Sequence, residues 1–526
     1  MKALTKLMSV LLAVSLLLCG CSSQKTNPTT TTEETESQKN GGTVKMACVP
    51  VDTLNPLITQ HSSISDFLSL VYEGLFVTLP DLTTEGVLAT EYAVSEDNTV
   101  YTIKLKEGVK FHNGKEFSAE DVVATIGYIS SYGGNYYPVV EKILGCDAPS
   151  SHTVTIILKS PVSDFMNSFD FPILPAGLGY ADFLNPCPTF YPVGTGMYIY
   201  DGTLEYKNIY LKANTNWHSG NNRPHIDKVD IEILSDDSTV VSAFDAGAVD
   251  VLTTSWQNPA EINLTSDLYN TYKTEQNRFT FLGINTGAAA FDTKEERVAF
   301  SSHIDSKTLC DDIMLGSAVA ASSPVRDNVY FNEQNQSPSA EDETTPDNAS
   351  ATVSYSTEAS GDQVTELYLL YNSSSKTKER LALAIKHRLD TAGYPCTLDP
   401  QPYEAYLAKV AGCEYDLYVG EVSIDNCANL SFMFGEERNL QNVCTFYTSE
   451  LSTLVSNLNR MSGKENKGVA WVNFKKYYND ECFQVPLYFT NGEAYVNKRI
   501  SGKLVPNIST LLYGFENLYL ESTKTE

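Results

Sequence analysis

Apolar and polar residues alternate along the chain with two different periods, one typical of strands and the other of helices. Residues 101–105, YTIKL, alternate apolar with polar side chains, the period-two pattern of a half-buried strand. Ser118 then stands three residues before Asp121, as in a helix N-cap with an acidic third residue, and apolar residues recur at helical spacing from Val122 to Ile129. The local unit is therefore a strand followed by a capped helix.

The same unit returns in the second half of the chain. Residues 367–371 form an apolar run that predicts a buried strand, and an apolar stripe from Leu381 to Ala392 predicts a helix that ends at Gly393. Three more elements are expected after it: a strand at 396–398, a helix at 403–410 and a strand at 415–422. Such alternation predicts an α/β fold with a partly parallel sheet, whose ligand crevice lies beyond the strand ends.

The first 21 residues have the features of a secretion signal and a lipid attachment site. Lysines near the start precede an apolar run from Leu7 to Leu18, which is too short to span a bilayer. The junction that follows, Leu-Cys-Gly-Cys, resembles a bacterial lipobox. On this interpretation residues 1–20 are removed, and Cys21 carries the lipid that anchors the protein to the cell membrane. The alternative is a plain cleaved signal that happens to contain two cysteines.

Two segments are too polar to bury a core. Residues 21–42 contain no large apolar side chain, which predicts a disordered tether between the anchor and the folded region. Residues 332–363 are rich in Ser, Thr, Asn and acidic residues, which predicts a mobile surface insertion.

Length and charge narrow the class of protein. A chain of 526 residues is long enough for two or three domains. Its formal charge of −28, from 37 basic and 65 acidic residues, repels phosphate backbones, so we expect no nucleic-acid partner. Nine cysteines remain beyond Cys21, an odd number with no CxxC pair, which favours buried thiols over a disulfide framework.

Catalytic and cofactor motifs are absent from the sequence. It contains neither GxSxG nor HExxH. The segment from Gly108 to Lys115 fails the phosphate-loop spacing, and Glu116 stands where a Ser or Thr is required, so we expect a tight hairpin turn there. We therefore expect a protein that is not an enzyme and that holds no cofactor and no metal of its own.

Several stretches resemble one known family in order and spacing. The matching segments are GTVKMACVPVDTLNPL at 42–57, LVYEGLF at 70–76, YTIKLKEGVKFHNGKEFSAEDVV at 101–123, PVGTGMY at 192–198, FDAGAVDV at 244–251, LYLLYN at 367–372, AGY at 392–394, YDLYVGEV at 415–422 and VPLYFTNGEAYV at 485–496. Together they are similar to the family-5 extracellular solute-binding proteins, the oligopeptide, dipeptide and nickel receptors of ABC importers.

The resemblance implies a bilobed, type II periplasmic-binding-protein-like fold with three discontinuous domains around a ligand crevice. The first domain would combine residues 43–80, 190–282 and 484–521. Residues 81–189 would form a second, inserted domain, and residues 283–483 a third. Solute would be held between the first and third domains and enclosed by hinge closure.

The resemblance also suggests site residues. In peptide receptors of this family an acidic residue after the DLYL-type strand anchors the peptide α-amine, which makes Asp425 the first candidate here and Glu421 the second. Either one is equally well explained as a solvated loop acid or a satisfied hydrogen-bond acceptor. Tyr136 and Tyr137 are candidates to flank the ligand backbone, although one of them is expected in the core. Trp256 is a candidate wall of the crevice or a packed core residue.

Three functional classes remain open from the sequence. The first is a monomeric, lipid-anchored receptor that delivers peptides to the permease subunits of an ABC importer. The second is the same fold binding a nickel chelate, another small solute or a signalling peptide. The third is a surface hydrolase or adhesin, which the absence of a nucleophile motif disfavours.

Overall fold

A computed structural model describes residues 41–204, 207–219, 223–255, 258–326, 366–434, 445–461 and 464–520. The signal and lipid-anchor predictions on residues 1–21 lie outside these ranges, as do Trp256 and the insertion predicted at 332–363. None of the described helices is both long and apolar enough to cross a membrane.

The strands of the described chain are numbered in order. They are β1 (Thr43–Cys48), β2 (Phe76–Thr78), β3 (Thr84–Gly86), β4 (Ala89–Val94), β5 (Val100–Leu105), β6 (Ile143–Ser150), β7 (Thr153–Leu158), β8 (Tyr198–Leu204), β9 (Asn208–Ala213), β10 (Lys228–Ile233), β11 (Val251–Thr253), β12 (Tyr269–Ile284), β13 (Ala318–Ala320), β14 (Leu367–Asn372), β15 (Cys396–Gln401), β16 (Leu417–Ser423), β17 (Gln484–Asn497), β18 (Ile500–Ser501) and β19 (Tyr519–Leu520).

The helices are numbered in the same way. They are α1 (Ser62–Leu68), α2 (Ala119–Tyr132), α3 (Tyr137–Val140), α4 (Asp237–Asp245), α5 (Lys294–Ser301), α6 (Ser306–Met314), α7 (Lys376–Thr391), α8 (Tyr403–Ala411), α9 (Ser431–Phe434), α10 (Ser449–Arg460) and α11 (Lys464–Glu481).

The largest sheet has seven strands, in the order β11, β17, β12, β16, β14, β15, with β13 also paired to β17. Strand β14 runs parallel to both β15 and β16, whereas β12 is antiparallel to β16 and β17. The partly parallel sheet predicted from the alternation of strands and helices is thus confirmed. Its parallel strands end near Asn372 and Ser423, which defines the edge where a crevice is expected.

Two four-stranded sheets lie earlier in the chain. One has the order β4, β5, β7, β6 and is antiparallel throughout. The other has the order β1, β10, β9, β8 and contains one parallel pair, β1 with β10. Apolar side chains from these sheets and from α1 and α2 share one buried core.

The local unit read from residues 101–129 is present as predicted. Strand β5 buries alternate residues, and α2 begins after Ser118, whose backbone N–H and hydroxyl donate to the Asp121 carboxylate at 2.9 and 3.1 Å. Between them, Lys110 and Glu116 form an antiparallel bridge. The expected hairpin turn is therefore confirmed.

Two glycines of the seven-stranded sheet face aromatic rings across the ladder. Gly283 on β12 pairs with Tyr418 on β16, and Gly420 on β16 pairs with Phe281 on β12. A Cβ added at Gly283 would overlap the Tyr418 ring, and one added at Gly420 would overlap the Phe281 ring. Each ring thus lies flat over the backbone of its partner, where a side chain has no room.

We expect Gly283→Ala to destabilise the protein by about 2 to 3 kcal/mol, because the added methyl group forces the Tyr418 ring out of its packed position. Gly127→Ala is the matched control, since Gly127 lies inside α2 with open space around its Cα, and it should gain about 0.5 to 1 kcal/mol. Urea unfolding midpoints measure both. Equal midpoints for the two variants would contradict the packing described here.

Candidate functional site

One cavity of the described residues, called the central cavity below, has a volume of about 390 Å³. It is bounded by α1, by the segments around residues 72–77, 85–87 and 170–172, and by the chain at 509–516. Its polar and aromatic lining includes Asp66, Tyr72, Glu73, Tyr136, Asp170, Trp217, His218 and Thr510. This size suits a small solute.

Asp66 is a buried carboxylate in the wall of this cavity. It lies on α1 with 8% of its surface exposed, and it accepts hydrogen bonds from the hydroxyls of Thr253 at 2.5 Å and Ser255 at 2.8 Å. Burial raises the pKa of Asp66 to about 6, although the hydrogen bonds from the two hydroxyls act to lower it. No basic side chain of the described chain forms an ion pair with it. A negative charge here thus has no cationic partner within the described ranges.

Asp170 is the second carboxylate of the cavity. Its Oδ2 accepts hydrogen bonds from the Ser509 hydroxyl at 2.8 Å and from the Asn426 amide at 3.2 Å. Burial raises its pKa to about 6, and it too lacks an ion pair within the described ranges. Tyr136 lines the same cavity, and burial together with the charge of Asp170 raises the pKa of its phenol.

Glu73 differs from these two because the protein already satisfies it. Its Oε1 accepts from the Trp217 indole at 2.9 Å, and its Oε2 lies 2.7 Å from both the Thr195 hydroxyl and His218 Nε2. Gly196 lets the chain beside Thr195 pass against the backbone of residues 70–71. The PVGTGMY and LVYEGLF motifs thus meet, and Glu73 fixes one wall of the cavity.

A second cavity of about 360 Å³ lies at the start of α1 and is called the Arg278 cavity. Its lining comprises Val49, Gln60, His61, Ser62, Ser63, Asp237, Ser255 and Arg278. Ser255 lines this cavity while its hydroxyl donates to Asp66, which lines the central cavity. The two cavities therefore adjoin along α1.

Glu421, a candidate amine anchor from the sequence, forms an ion pair with a lysine on α7. Its carboxylate lies 2.6 Å from Lys378 Nζ and accepts a hydrogen bond from the Thr280 hydroxyl at 3.1 Å. Burial alone would raise its pKa, but Lys378, Arg278 and the Thr280 hydroxyl together outweigh burial, so the pKa is lowered. Its charge is thus matched inside the protein.

Asp425, the first candidate, also has a cationic partner. Its Oδ2 lies 3.0 Å from Lys142 Nζ, and its Oδ1 accepts from the backbone N–H of Asn429 at 2.8 Å. Burial lowers the pKa of Lys142, but Asp425 together with Cys427 and Glu141 outweighs burial, so the pKa is raised. In this structure Asp425 is a satisfied acceptor. Its role as an amine anchor stays a prediction, and it requires a solute to displace Lys142.

The two tyrosine candidates lie in different environments. Tyr136 lines the central cavity, with its ring 5.7 Å from that of Phe171. Tyr137 begins α3 and is 44% exposed, away from the cavity lining. Trp256 and the lipidation candidate Cys21 lie outside the described residues.

Asp66 and Asp170 were not among the residues singled out from the sequence. One sequence feature could have indicated Asp66: in the segment SSISDFL it is an acid on the buried face of a short apolar helix. Asp170 lies in a turn after a short 3-10 helix, Phe165–Ser168, whose residues are all buried, so no helical face marks it in the sequence. Among the described residues, no group of three or more His, Cys, Asp or Glu side chains is placed to hold a metal ion.

Comparison with known proteins gives a consistent result. The family model for bacterial extracellular solute-binding proteins, family 5 Middle, matches residues 83–435. The oligopeptide-binding protein AppA of Bacillus subtilis is 24% identical over 336 residues, 61% of this chain and 61% of AppA. The glutathione-binding protein GsiB of Escherichia coli is 31% identical over 203 residues, 37% of this chain and 38% of GsiB. The chain thus spans less than two thirds of these curated relatives.

Solved structures extend the likeness over most of the chain. The ABC transporter substrate-binding protein CtaP of Listeria monocytogenes superposes with a TM-score of 0.73 at 21% identity, covering 92% of this chain and 100% of CtaP. AppA of Bacillus subtilis in complex with a nonapeptide gives 0.63 at 19% identity, covering 92% of this chain and 100% of AppA. The expected type II periplasmic-binding-protein-like α/β fold is confirmed.

We expect Asp66→Asn to stabilise the solute-free protein at pH 7. The pKa of Asp66 is about 6 in the folded chain and 3.8 ordinarily, so the folded state binds the proton more tightly and its stability falls as pH rises through this window. Removing the charge should raise the unfolding free energy by about 1 to 3 kcal/mol at pH 7 and much less at pH 4.

Urea unfolding at pH 4, 5, 6 and 7 measures this difference. Asp311→Asn, which removes an exposed carboxylate on α6, is the matched control for net charge. A difference between Asp66→Asn and the parent that stays constant across the pH series would refute a titrating Asp66.

Proposed function

We propose that this chain, which belongs to the family-5 bacterial extracellular solute-binding proteins, captures a peptide or another small amine-bearing solute in the central cavity and delivers it to an ABC importer. The observation that carries the proposal is the pair Asp66, which is buried, and Asp170, which is partly buried, two carboxylates of one cavity that form no ion pair within the described chain. The family is defined by binding a solute and not by catalysis.

An ammonium group complements Asp66 and Asp170, because Lys106, the lysine of the cavity lining, contacts His218 at 3.3 Å and forms no ion pair with either acid. A buried carboxylate without a counter-ion is costly, and a cation taken out of water needs a charged acceptor in turn. Tyr72 and Trp217 add aromatic faces to the lining, which further favours a cation. The raised pKa values of the two acids are the signature of an unpaired site, and a bound ammonium would lower both.

The relatives support a peptide as the solute. AppA is named for oligopeptides, and its solved structure holds a nonapeptide, while GsiB is named for glutathione. A direct nickel site finds no support among the described residues, where no suitable ligand group occurs. A free peptide amine is therefore the group we assign to the acidic cavity.

The lipid anchor at Cys21 and the importer complete the proposal. The lipobox-like junction and the polar residues 21–42 would hold a monomeric receptor near the outer face of the cell membrane, within reach of permease subunits. A tethered receptor raises the local concentration of captured solute at its importer.

We expect a peptide with a free amine to bind at least tenfold more tightly than its N-acetylated form, because the charged hydrogen bonds to Asp66 and Asp170 are lost on acetylation. Affinity should also fall as pH drops below about 6, where both acids become protonated. Calorimetric titration with a mixed tripeptide library, then with its tightest member in both forms, measures this preference.

Three variants locate the amine. Asp66→Asn and Asp170→Asn should each reduce the preference for the free amine. Asp425→Asn should leave this preference unchanged, because in the parent protein Asp425 already pairs with Lys142. Loss of the preference in Asp425→Asn alone would return the amine site to Asp425 and refute the assignment to the central cavity. Ni²⁺ alone should produce no thermal shift.

We expect Cys21→Ala to release the protein from the membrane fraction or to leave the precursor uncleaved. Lipid chains contribute about 0.8 kcal/mol per buried methylene group, enough to anchor a protein whose net charge is repelled by anionic lipids. Membrane fractionation and the mobility of the mature chain are the measurements, with Cys187→Ala as the control. Normal cleavage and unchanged membrane association would contradict lipidation at Cys21.

A further inference from the structure

Two buried cores of the described chain meet at a polar contact. The first core contains apolar side chains of α1, α2 and the two four-stranded sheets, and the second contains side chains of β12, β16, α10 and α11. Between them the loop 425–428, called the latch loop below, contacts the segment 163–170, called the seat. The sequence assigns the latch loop to the third predicted domain and the seat to the second, so the contact joins two predicted domains.

Each side of this contact contributes a side chain to the core of the other side. Cys427 of the latch loop is 2% exposed and belongs to the first core. Its Sγ lies 3.0 Å from Ser168 Oγ and 3.5 Å from the backbone carbonyl oxygen of Asp164. Leu82, whose carbonyl accepts from the Asn167 amide at 2.6 Å, belongs in turn to the second core. Separating the two cores would expose both Cys427 and Leu82 to water.

Two asparagines exchange hydrogen bonds between the latch loop and the seat. The side-chain amide of Asn167 donates to the backbone carbonyl of Asn426 at 3.0 Å, and the amide of Asn426 donates to the backbone carbonyl of Asn167 at 3.3 Å. The amide of Asn426 also donates to Asp170 Oδ2 at 3.2 Å. Because Asp170 lines the central cavity, the latch loop contacts one of the two acids of the proposed solute site.

A buried lysine adds a charged contact. Lys467 lies on α11 and is 2% exposed. Its Nζ lies 2.6 Å from Asp164 Oδ2 and donates to the backbone carbonyl of Cys427 at 3.0 Å. One ammonium group therefore binds both the seat and the latch loop, and hydrogen bonds to a charged donor are stronger than those between neutral groups.

The C-terminal end of α10 receives its hydrogen bonds from the other side of the contact. The last carbonyl groups of a helix have no partner within the helix. Those of Leu458 and Asn459 accept from the hydroxyl and the backbone N–H of Ser163, at 3.3 and 2.8 Å. That of Arg460 accepts from the Asn98 amide at 3.0 Å. These bonds exist only while the two cores are in contact.

We infer that the latch loop holds the two cores together before any solute binds, and that Asn426 couples this latch to a solute at Asp170. The resemblance implies closure around a solute, whereas here contacts within the protein supply it. The coupling rests on the proposed function; the latch does not. A cation at Asp170 keeps the carboxylate ionised, which strengthens the hydrogen bond from Asn426. The solute thus stabilises the latched state, and the latch by reciprocity strengthens solute binding.

Cys427 itself reports whether the latch loop leaves the seat. Burial raises the pKa of its thiol to about 12, so a maleimide reacts with it only after the loop opens. Cys48 on β1 is the internal control, because it is buried in the first core and burial raises its pKa to about 12 as well. In the solute-free, full-length parent, Cys427 should react faster than Cys48, since the loop can open without unfolding the core. Mass spectrometry of proteolytic fragments measures both rates.

Two variants loosen the latch. Asp164→Asn removes the counter-ion of Lys467 and keeps a residue that tolerates the left-handed backbone at this position, where φ is 55°. Asn426→Ala removes two amide hydrogen bonds. Each should speed the labelling of Cys427 about tenfold and leave Cys48 unchanged. Asn263→Ala, at an exposed asparagine outside the latch, should change neither rate.

Two results would overturn the latch. One is labelling of Cys427 at the parent rate in both Asp164→Asn and Asn426→Ala. The other is equal acceleration of Cys427 and Cys48, because the contacts would then contribute to overall stability and not to a separate opening step.

The tightest tripeptide of the mixed library tests the coupling. At saturation it should slow the labelling of Cys427 about 5- to 10-fold in the parent, and it should bind Asn426→Ala weaker than the parent by a similar factor. Equal affinity for the parent and Asn426→Ala would overturn the coupling and leave the latch and the peptide receptor intact. If no tripeptide binds the parent, the proposed function and the coupling are both overturned, and labelling of the solute-free variants still decides the latch.

Discussion

The pairing of β12 with β17 is the interaction on which the arrangement of the site depends. These strands are the longest of the described chain, and β17 also pairs with β11 and β13. Through β11 it fixes the segment that brings Thr253 and Ser255 to Asp66, and through β12 it places Arg278 opposite Thr490. Strand β17 thus helps to position Asp66 in the wall of the proposed solute site.

The charges of the site fall into two groups with different roles. Glu73, Glu421 and Asp425 each have a partner within the protein, so their charge stabilises the walls and the contacts between segments. Asp66 forms no ion pair with any residue of the described ranges. Burying an ionised group without a counter-ion lowers stability, and such groups tend to persist where a ligand supplies the missing charge. We therefore propose that such unpaired groups, and not the most acidic or most aromatic stretches, define the site.

The sequence was sufficient for the fold because the fold follows from local patterns. The alternation at 101–105, the cap at Ser118 and the βαβαβ run from 367 to 422 each depend on neighbours a few residues away. The site was less predictable, because pairing of charges joins distant segments: Lys142 meets Asp425 across 283 positions. No pattern within the segment around Asp425 reveals that a lysine already neutralises it.

The two glycines facing aromatic rings across β12 and β16 have a consequence for sequence divergence. The Tyr418 ring fills the space where a side chain at position 283 would lie, and the Phe281 ring does the same at position 420. Neither member of a pair can therefore change in size while the other stays the same. Among homologues a larger residue at one position should occur together with a smaller ring or an aliphatic residue at its partner. The larger side chain of a pair can move from one strand to the other during evolution, but only through substitutions at both positions.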